Sequence, residues 1–314
     1  MDAAISLQGV TKSFGATRAV EEMSFEIPQG GLYGLIGPNG AGKTTTIRMV
    51  MSILLPDAGH LSILGKASAL QAKDRIGYLP EERGLYRKMK VSAFLAYMGK
   101  LKGLHSSILA NRVRIRLERM GLADIEDKRC EELSKGTQQK VQLLGAVIHD
   151  PDLLILDEPF SGLDPVSTLQ LRNLILAEHK RGATIVFSTH VMAHAEELCD
   201  HIIMINQGRK VLDDPIASIR GRYDPRTVHL EPLDRTADEA PLRALPGIES
   251  VSRTEEGFEL VLAPNTEPGG AMARIAATVP SSRIELARPN LEEIFIRIVS
   301  GQPAPAARAS QAAP

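Results

Sequence analysis

The segment Gly37-Pro38-Asn39-Gly40-Ala41-Gly42-Lys43-Thr44 follows the apolar run Leu32–Ile36 and opens a helical stretch extending to about Leu54. A glycine-rich turn between a buried strand and a helix is a phosphate-binding context, because small residues let the backbone curl until successive N–H groups face one anion. The helix adds its positive N-terminal end. Lys43 is expected to reach the outer phosphates as a point charge. The Thr44 hydroxyl is expected to ligate Mg²⁺, a hard ion that prefers oxygen, and Thr45 is grouped with the loop as a nucleotide contact. Gly30-Gly31 turns the chain into the strand, and Pro56-Asp57-Ala58-Gly59 stops the helix.

Other short apolar runs read as strands: Ala4–Val10, Glu22–Ile27, Arg75–Leu79, Leu153–Leu156 and Thr184–Ser188. The Leu-rich and β-branched continuity of the later ones suits a sheet covered on both faces. Leu153–Leu156 runs into Asp157-Glu158. Adjacent carboxylates in an apolar setting repel and are costly to bury without a cation, which a Mg²⁺-bound phosphate supplies. Asp157 is expected to hold the metal through its water shell, and Glu158 to accept the proton of an attacking water or orient it. His190 follows the run Thr184–Thr189, and strand C-termini of a parallel sheet gather around a bound nucleotide. Its expected role is to donate a hydrogen bond to developing charge.

From Val91 to His149 the apolar spacing is helical, and Arg112, Arg114, Arg116 and Arg119 fall within it. Glu118, Asp124 and Glu126 are interspersed, so the cluster reads as a solvated helix face rather than a nucleic-acid or lipid contact. The charge supports this: Lys+Arg 37 against Asp+Glu 38 leaves −1, with no basic excess to coat a polyanion. Cys130 and Cys199 have no metal-ligand spacing and read as reduced structural thiols of a cytosolic protein. The start, Met1-Asp2-Ala3-Ala4-Ile5-Ser6, carries no export-signal pattern. No run approaches the roughly 20 apolar residues a membrane span needs. Function at a membrane would therefore require another polypeptide as anchor.

The chain's 314 residues, 43% hydrophobic, allow one large core and a smaller second domain. Composition shifts near Ile216–Arg226. Beyond it the expected elements are strand Thr227–Glu231, helix Ala237–Ala244, strands Glu249–Thr254 and Gly257–Leu262, helix Gly270–Thr278, strand Arg283–Ala287 and helix Leu291–Ile298. The order βαββαβ predicts a small α+β sandwich. Asn290 and Glu293 have capping-box spacing at the last helix. Residues 301–314 are Ala-, Pro-, Ser- and Gln-rich and predict a disordered tail.

Taken in order, these segments resemble the ATP-binding-cassette (ABC) ATPases over about Ile5–Pro215, with Leu133-Ser134-Lys135-Gly136-Thr137-Gln138 as the signature and Ser161-Gly162-Leu163-Asp164 as the following turn. The resemblance implies an α/β, P-loop NTPase fold: a RecA-like core, a helical subdomain at about 91–149 and an antiparallel β region, within a cassette of residues 1–220. Residues 226–300 form the accessory domain. It also implies two cassettes paired head to tail, each ATP lying between one phosphate loop and the partner's signature. Ser134, Gly136 and Gln138 then belong to the nucleotide site, Ser161–Asp164 links the two sites, and Phe14 stacks on adenine; from the residue alone, a core-facing aromatic is the competing reading.

Two departures stand out. Glu81 follows Ile76–Pro80 where the family has a Gln that meets Mg²⁺, so a carboxylate is the expected metal contact. The signature has Lys135 for Gly and Thr137 for Gln. With the ending Pro289–Phe295, these features resemble the sodium-extrusion and drug-resistance branch of bacterial exporter ATPases. There the channel is a separate permease and the ATPase is peripheral on the cytoplasmic face. The cargo implied is Na⁺ or a drug-like compound, and no nucleic-acid partner is expected. The competing readings are a soluble ABC-type ATPase acting on ribosomes or DNA and an ATP-dependent regulatory module.

Overall fold

The computed structural model describes residues 3–82, 84–222, 226–287 and 290–300. The expected tail lies outside them. The chain divides into two compact units, Met1–Ile216 and Ala217–Pro314.

The first unit opens with β1 (Ala3–Phe14) and β2 (Thr17–Pro28), a long antiparallel hairpin, followed by β3 (Leu32–Ile36), α1 (Lys43–Val50) and β4 (Ala58–Ile63). Alternating burial along β2 puts Val20, Met23, Phe25 and Ile27 inward, as a half-buried strand requires. The strand β4 is unanticipated: the Pro56–Gly59 stop leads into a strand that pairs with β1 through Ile5↔Ile63 and Leu7↔Leu61. Helix α1 ends before the expected Leu54 because Ser52 takes a left-handed conformation (φ 56°) that breaks the ladder.

β5 (Ile76–Leu79) precedes the helical segment, which resolves into α2 (Val91–Leu101), α3 (Ser106–Arg119) and α4 (Lys135–Val147). Then come β6 (Leu153–Asp157), α5 (Pro165–Lys180), β7 (Thr184–Thr189), α6 (Met192–Leu198), β8 (His201–Asn206) and β9 (Arg209–Pro215). The main sheet has the order β5-β6-β7-β3-β8-β9, parallel except for β9. Residues of β3, β6 and β7 are buried throughout, the continuous apolar pattern of central parallel strands. With the strands parallel, the C-terminal ends of β3, β5, β6 and β7 lie along one edge of the sheet, where α/β folds build their ligand sites.

The arginines of α3 correct the solvated-face expectation. Arg116 pairs with the buried Glu178 of α5 at 2.6 Å and with Asp150, and its guanidinium also donates to the Val147 carbonyl. Arg112 pairs with Asp150 at 2.6 Å and donates to the Ile148 carbonyl. These two arginines clamp α3 onto the end of α4 and onto α5, using donors that a guanidinium fork presents together. Arg114 pairs with Glu118 on its own helix at 2.7 Å, an exposed i,i+4 contact of small energetic weight.

The second unit contains α7 (Ile216–Arg222, beginning at the boundary), β10 (Thr227–Pro232), α8 (Ala240–Arg243), β11 (Ile248–Arg253), β12 (Phe258–Leu262), α9 (Pro268–Thr278), β13 (Ser281–Ala287) and α10 (Leu291–Val299). Its antiparallel sheet has the order β11-β12-β10-β13, the split arrangement of a βαββαβ sandwich. Val228, Leu230, Phe258, Leu260, Ala271 and Ile275 form part of its own core. The expected helix over 237–244 contracts to α8 because Pro241 has no N–H and fits only the first turn. At α10 the Asn290 side chain accepts from the Glu293 amide at 2.9 Å, as the capping spacing predicts.

Candidate functional site

The phosphate loop joins β3 to α1. Gly42, at the helix N-cap, has φ 107°, and a Cβ there would lie 2.5 Å from the Ala19 carbonyl oxygen. At Gly37 a Cβ would lie 2.1 Å from the Ile205 carbonyl oxygen. Neither position has room for a side chain, so the loop keeps its backbone against the hairpin and β8 only with glycine. Lys43 is 6% exposed, and its Nζ donates to the carbonyls of Gly37 at 2.8 Å and Pro38 at 3.1 Å. Burial draws its pKa down, while the carboxylates of Glu158, Asp157 and Glu81 oppose the shift. Asn39 and Gly40 are exposed at the loop tip, and Thr44 and Thr45 are half-buried.

Strands β6 and β7 deliver the acidic pair and its partners. Asp157 is 1% and Glu158 8% exposed. Thr44 Oγ1 donates to Asp157 Oδ1 at 3.4 Å, which places the two expected metal oxygens side by side. Burial raises the Asp157 pKa, and hydrogen bonds from Ser188 and Thr44 counter that rise. Glu158 sits just past the strand with φ 49°, a left-handed conformation that costs a non-glycine residue on the order of 1 kcal/mol or more. Its Oε1 accepts from His190 Nδ1 at 2.9 Å and lies 3.9 Å from Lys43 Nζ. Glu158 also lines an open cavity of about 430 Å³ with Glu81, Glu82, Gln139 and Ser161. The structure thus brings Lys43, Thr44, Asp157, Glu158 and His190 into one connected cluster, with Glu81 on the wall of the adjoining cavity.

The signature residues form a second cluster at the start of α4. Ser134 is its N-cap, accepting from the Thr137 amide at 3.3 Å, and is exposed. Gly136 abuts the next segment: a Cβ there would lie 2.8 Å from Ser167 Oγ, and Asp164 caps α5 by accepting from the Ser167 amide at 2.9 Å. Gln138 Nε2 donates to the carbonyls of Cys130 at 3.2 Å and Leu133 at 3.1 Å. Those bonds hold the signature loop in place. Phe14, 50% exposed at the end of β1, is presented to solvent, so the competing core-facing reading of this aromatic is corrected.

Three residues that the motifs did not single out belong to the site's construction. Ser188 bonds both members of the acidic pair. Gln139 Nε2 donates to the Pro159 carbonyl and Gln142 Nε2 to the Glu82 carbonyl, each at 3.3 Å. The helix that starts with the signature therefore grips both the Glu158 turn and the Glu81-Glu82 segment. An i,i+3 amide pair on an otherwise apolar helix face is the only sequence trace of this.

A model for the family described as "ABC transporter" matches residues 20–161, and one described as "ATP-binding protein DrrA1-3-like, C-terminal domain" matches residues 215–299. An uncharacterized ABC transporter ATP-binding protein of Bacillus subtilis (strain 168), YhaQ, is 39% identical over 295 residues, covering 94% of this chain and 98% of the relative. The chain belongs to the ATP-binding subunits of ABC transporters. Another member, the Nod factor export ATP-binding protein I of Sinorhizobium fredii (strain NBRC 101917 / NGR234), is 33% identical over 304 residues, covering 95% of this chain and 86% of that one. Among solved structures, an ATP-binding subunit of an ABC transporter aligns with a TM-score of 0.64 at 29% identity, covering 69% of this chain and 92% of that chain. The cassette cbiO1 from Clostridium perfringens shares the fold, with a TM-score of 0.63 at 24% identity, covering 70% and 91%.

Membership of this ATPase family makes ATP with Mg²⁺ the ligand against which the ABC subunit's residues are judged, and they fit. The glycine cradle admits backbone but no side chain, and Thr44 with Asp157 offers the hard oxygens magnesium prefers. Among the described residues no group of three or more His, Cys, Asp or Glu side chains forms a metal cage. No helix among the described residues is long and apolar enough to cross a membrane.

Proposed function

We propose that this ABC subunit hydrolyses ATP in a head-to-tail homodimer and so drives a separate membrane permease in the direction of export. The observation that carries the proposal is the Glu158 carboxylate, bonded to His190 Nδ1 at 2.9 Å, 3.9 Å from the phosphate-loop Lys43, and open to the cavity it shares with Glu81 and Ser161.

Glu158 takes the proton from a water that attacks the γ-phosphorus, and the bond to the β,γ-bridging oxygen breaks, leaving ADP and phosphate. Lys43 neutralises the outer phosphates. His190 orients Glu158 and donates to the charge that develops. Thr44 and Asp157, with Glu81 from the cavity wall, would hold magnesium, which would supply positive charge against the phosphate oxygens. Phe14 offers an exposed ring for the adenine, and Ser134 and Gly136 close the site of the opposite copy. Dimer closure, favoured by ATP because only the closed state makes both contact sets, moves the permease.

Export is supported by the likeness to Nod factor export subunits over most of the chain. The proposed cargo is Na⁺ or a drug-like compound carried by the permease, with the ATPase peripheral at the cytoplasmic face. A nucleic-acid partner is disfavoured, since Arg112, Arg114 and Arg116 are each engaged by carboxylates and the formal charge is −1.

Ser134→Arg tests the trans arrangement. ATP affinity should stay near native while turnover falls roughly 100-fold, the loss typical when a positioned transition-state donor is removed. Loss of the cap costs about 1 kcal/mol of stability, so thermal unfolding is followed alongside. Unchanged ATPase activity would reduce Ser134 to a helix cap and contradict closure over the partner's nucleotide.

A further inference from the structure

We propose that Ser188 is a positioning residue for both acidic groups of the site, fixing the magnesium-side carboxylate of Asp157 and the turn that carries Glu158. The inference rests on the ATPase reading above and deepens it.

Ser188 faces Asp157 across the parallel β6/β7 ladder as its direct register partner. Its Oγ donates to Asp157 Oδ1 and accepts from the Glu158 amide at 3.2 Å. The same amide also reaches the Ser188 carbonyl at 3.2 Å, so the serine's backbone and side chain share one N–H. The residue is 0% exposed. A hydroxyl has one proton and two lone pairs, and here both functions are used on neighbouring residues of one strand end.

Two consequences follow. Asp157 Oδ1 receives the Ser188 proton and, more weakly, that of Thr44 at 3.4 Å. The carboxylate is thereby held in one orientation, with Oδ2 left to the metal's water shell. The Glu158 amide is tied down where the backbone enters its left-handed turn, φ 49°. A conformation of that kind persists only where surrounding bonds over-determine it. Alanine at 188 keeps the backbone bond but leaves Asp157 with only the longer Thr44 bond, and the Glu158 amide loses one of its two acceptors.

The experiment measures Mn²⁺ affinity by electron paramagnetic resonance, with the full-length native chain and its Ser188→Ala and Ser188→Cys variants bound to a non-hydrolysable ATP analogue. Groups that orient a metal's ligands typically control affinity by 10- to 100-fold. Ser188→Ala should therefore weaken Mn²⁺ roughly 10-fold or more, with analogue affinity in chelator within about twofold of native. Ser188→Cys, a similar-sized but weak donor, should fall between the two and serves alone if the alanine variant does not fold. A purely structural role would lower thermal stability and leave metal affinity unmoved. Mn²⁺ affinity within about twofold of native in the folded variants would overturn the proposal. If the native chain itself bound no Mn²⁺ with the analogue, the ATPase reading would fail instead, a separate and recognisable outcome.

Discussion

Glu158→Gln should lower ATP turnover by about 1000-fold while leaving ATP affinity equal to or tighter than native, because a positioned general base contributes roughly 10²- to 10⁴-fold and the amide cannot take the proton. The substitution is nearly isosteric. A Gln oxygen still accepts from His190 Nδ1, now 2.9 Å from the carboxylate, so the local geometry survives. What disappears is a negative charge 3.9 Å from Lys43, beside the buried Asp157. The phosphates then meet one fewer like charge, which is why affinity does not fall. With binding intact and turnover arrested, closed dimers should accumulate in Mg²⁺-ATP and appear on sizing at twice the monomer mass. Phosphate release at a native rate would remove Glu158 from catalysis. A variant that stays monomeric in saturating ATP would contradict the closed dimer.

Lys43→Ala has the second large effect. ATP affinity should fall roughly 100-fold, since charge-assisted contacts to phosphate are worth about 1.5–3 kcal/mol each and Lys43 brings several donors. Turnover should become undetectable. Lys43 also faces the buried pair Asp157 and Glu158, so its removal leaves their charge less compensated even without nucleotide. The accompanying loss of apo stability should be small, because desolvation of the ammonium, the largest influence on Lys43, opposes what its charge gives that pair. Isothermal titration with ATP and thermal unfolding separate the two losses, and Lys43→Met controls for the volume removed. Near-native ATP affinity in Lys43→Ala would refute the phosphate-loop assignment.

The phosphate loop is legible in the sequence because its chemistry is local. Glycines, lysine and threonine act within one turn, and the strand before and helix after are continuous in the chain. The burial of the acidic pair is legible for a related reason, since the two carboxylates directly continue an unbroken apolar run. The accessory domain's order of elements follows from period-two and helical patterns that tertiary contacts leave intact.

What escapes the sequence depends on partners distant in the chain. Strand β4 exists because β1 is there to pair with it, and its residues Ala58–Ile63 show no clean alternation. Ser188 looks like any strand serine until the register sets it opposite Asp157. Arg112 and Arg116 read as a solvated face because Asp150 and Glu178 lie 38 and 62 residues away. Gln138 falls in the signature, yet its amide bonds to the Cys130 and Leu133 carbonyls show only once the loop is folded. The resemblance supplies the pairing of two cassettes, which a single chain cannot display.

The pairing is tested most directly by a cross-link between copies. Asn39 at the phosphate-loop tip and Ser134 at the signature are both exposed, while the native thiols Cys130 and Cys199 are buried with raised pKa values and stay silent. Separately tagged Glu158→Gln chains, one with Asn39→Cys and the other with Ser134→Cys, are mixed and treated with a short thiol cross-linker. A cross-linked heterodimer that forms in Mg²⁺-ATP, and is absent with ADP or without nucleotide, is the expected result. No heterodimer in saturating Mg²⁺-ATP, or the same yield whatever nucleotide is present, would contradict closure of one copy's signature over the other's phosphates.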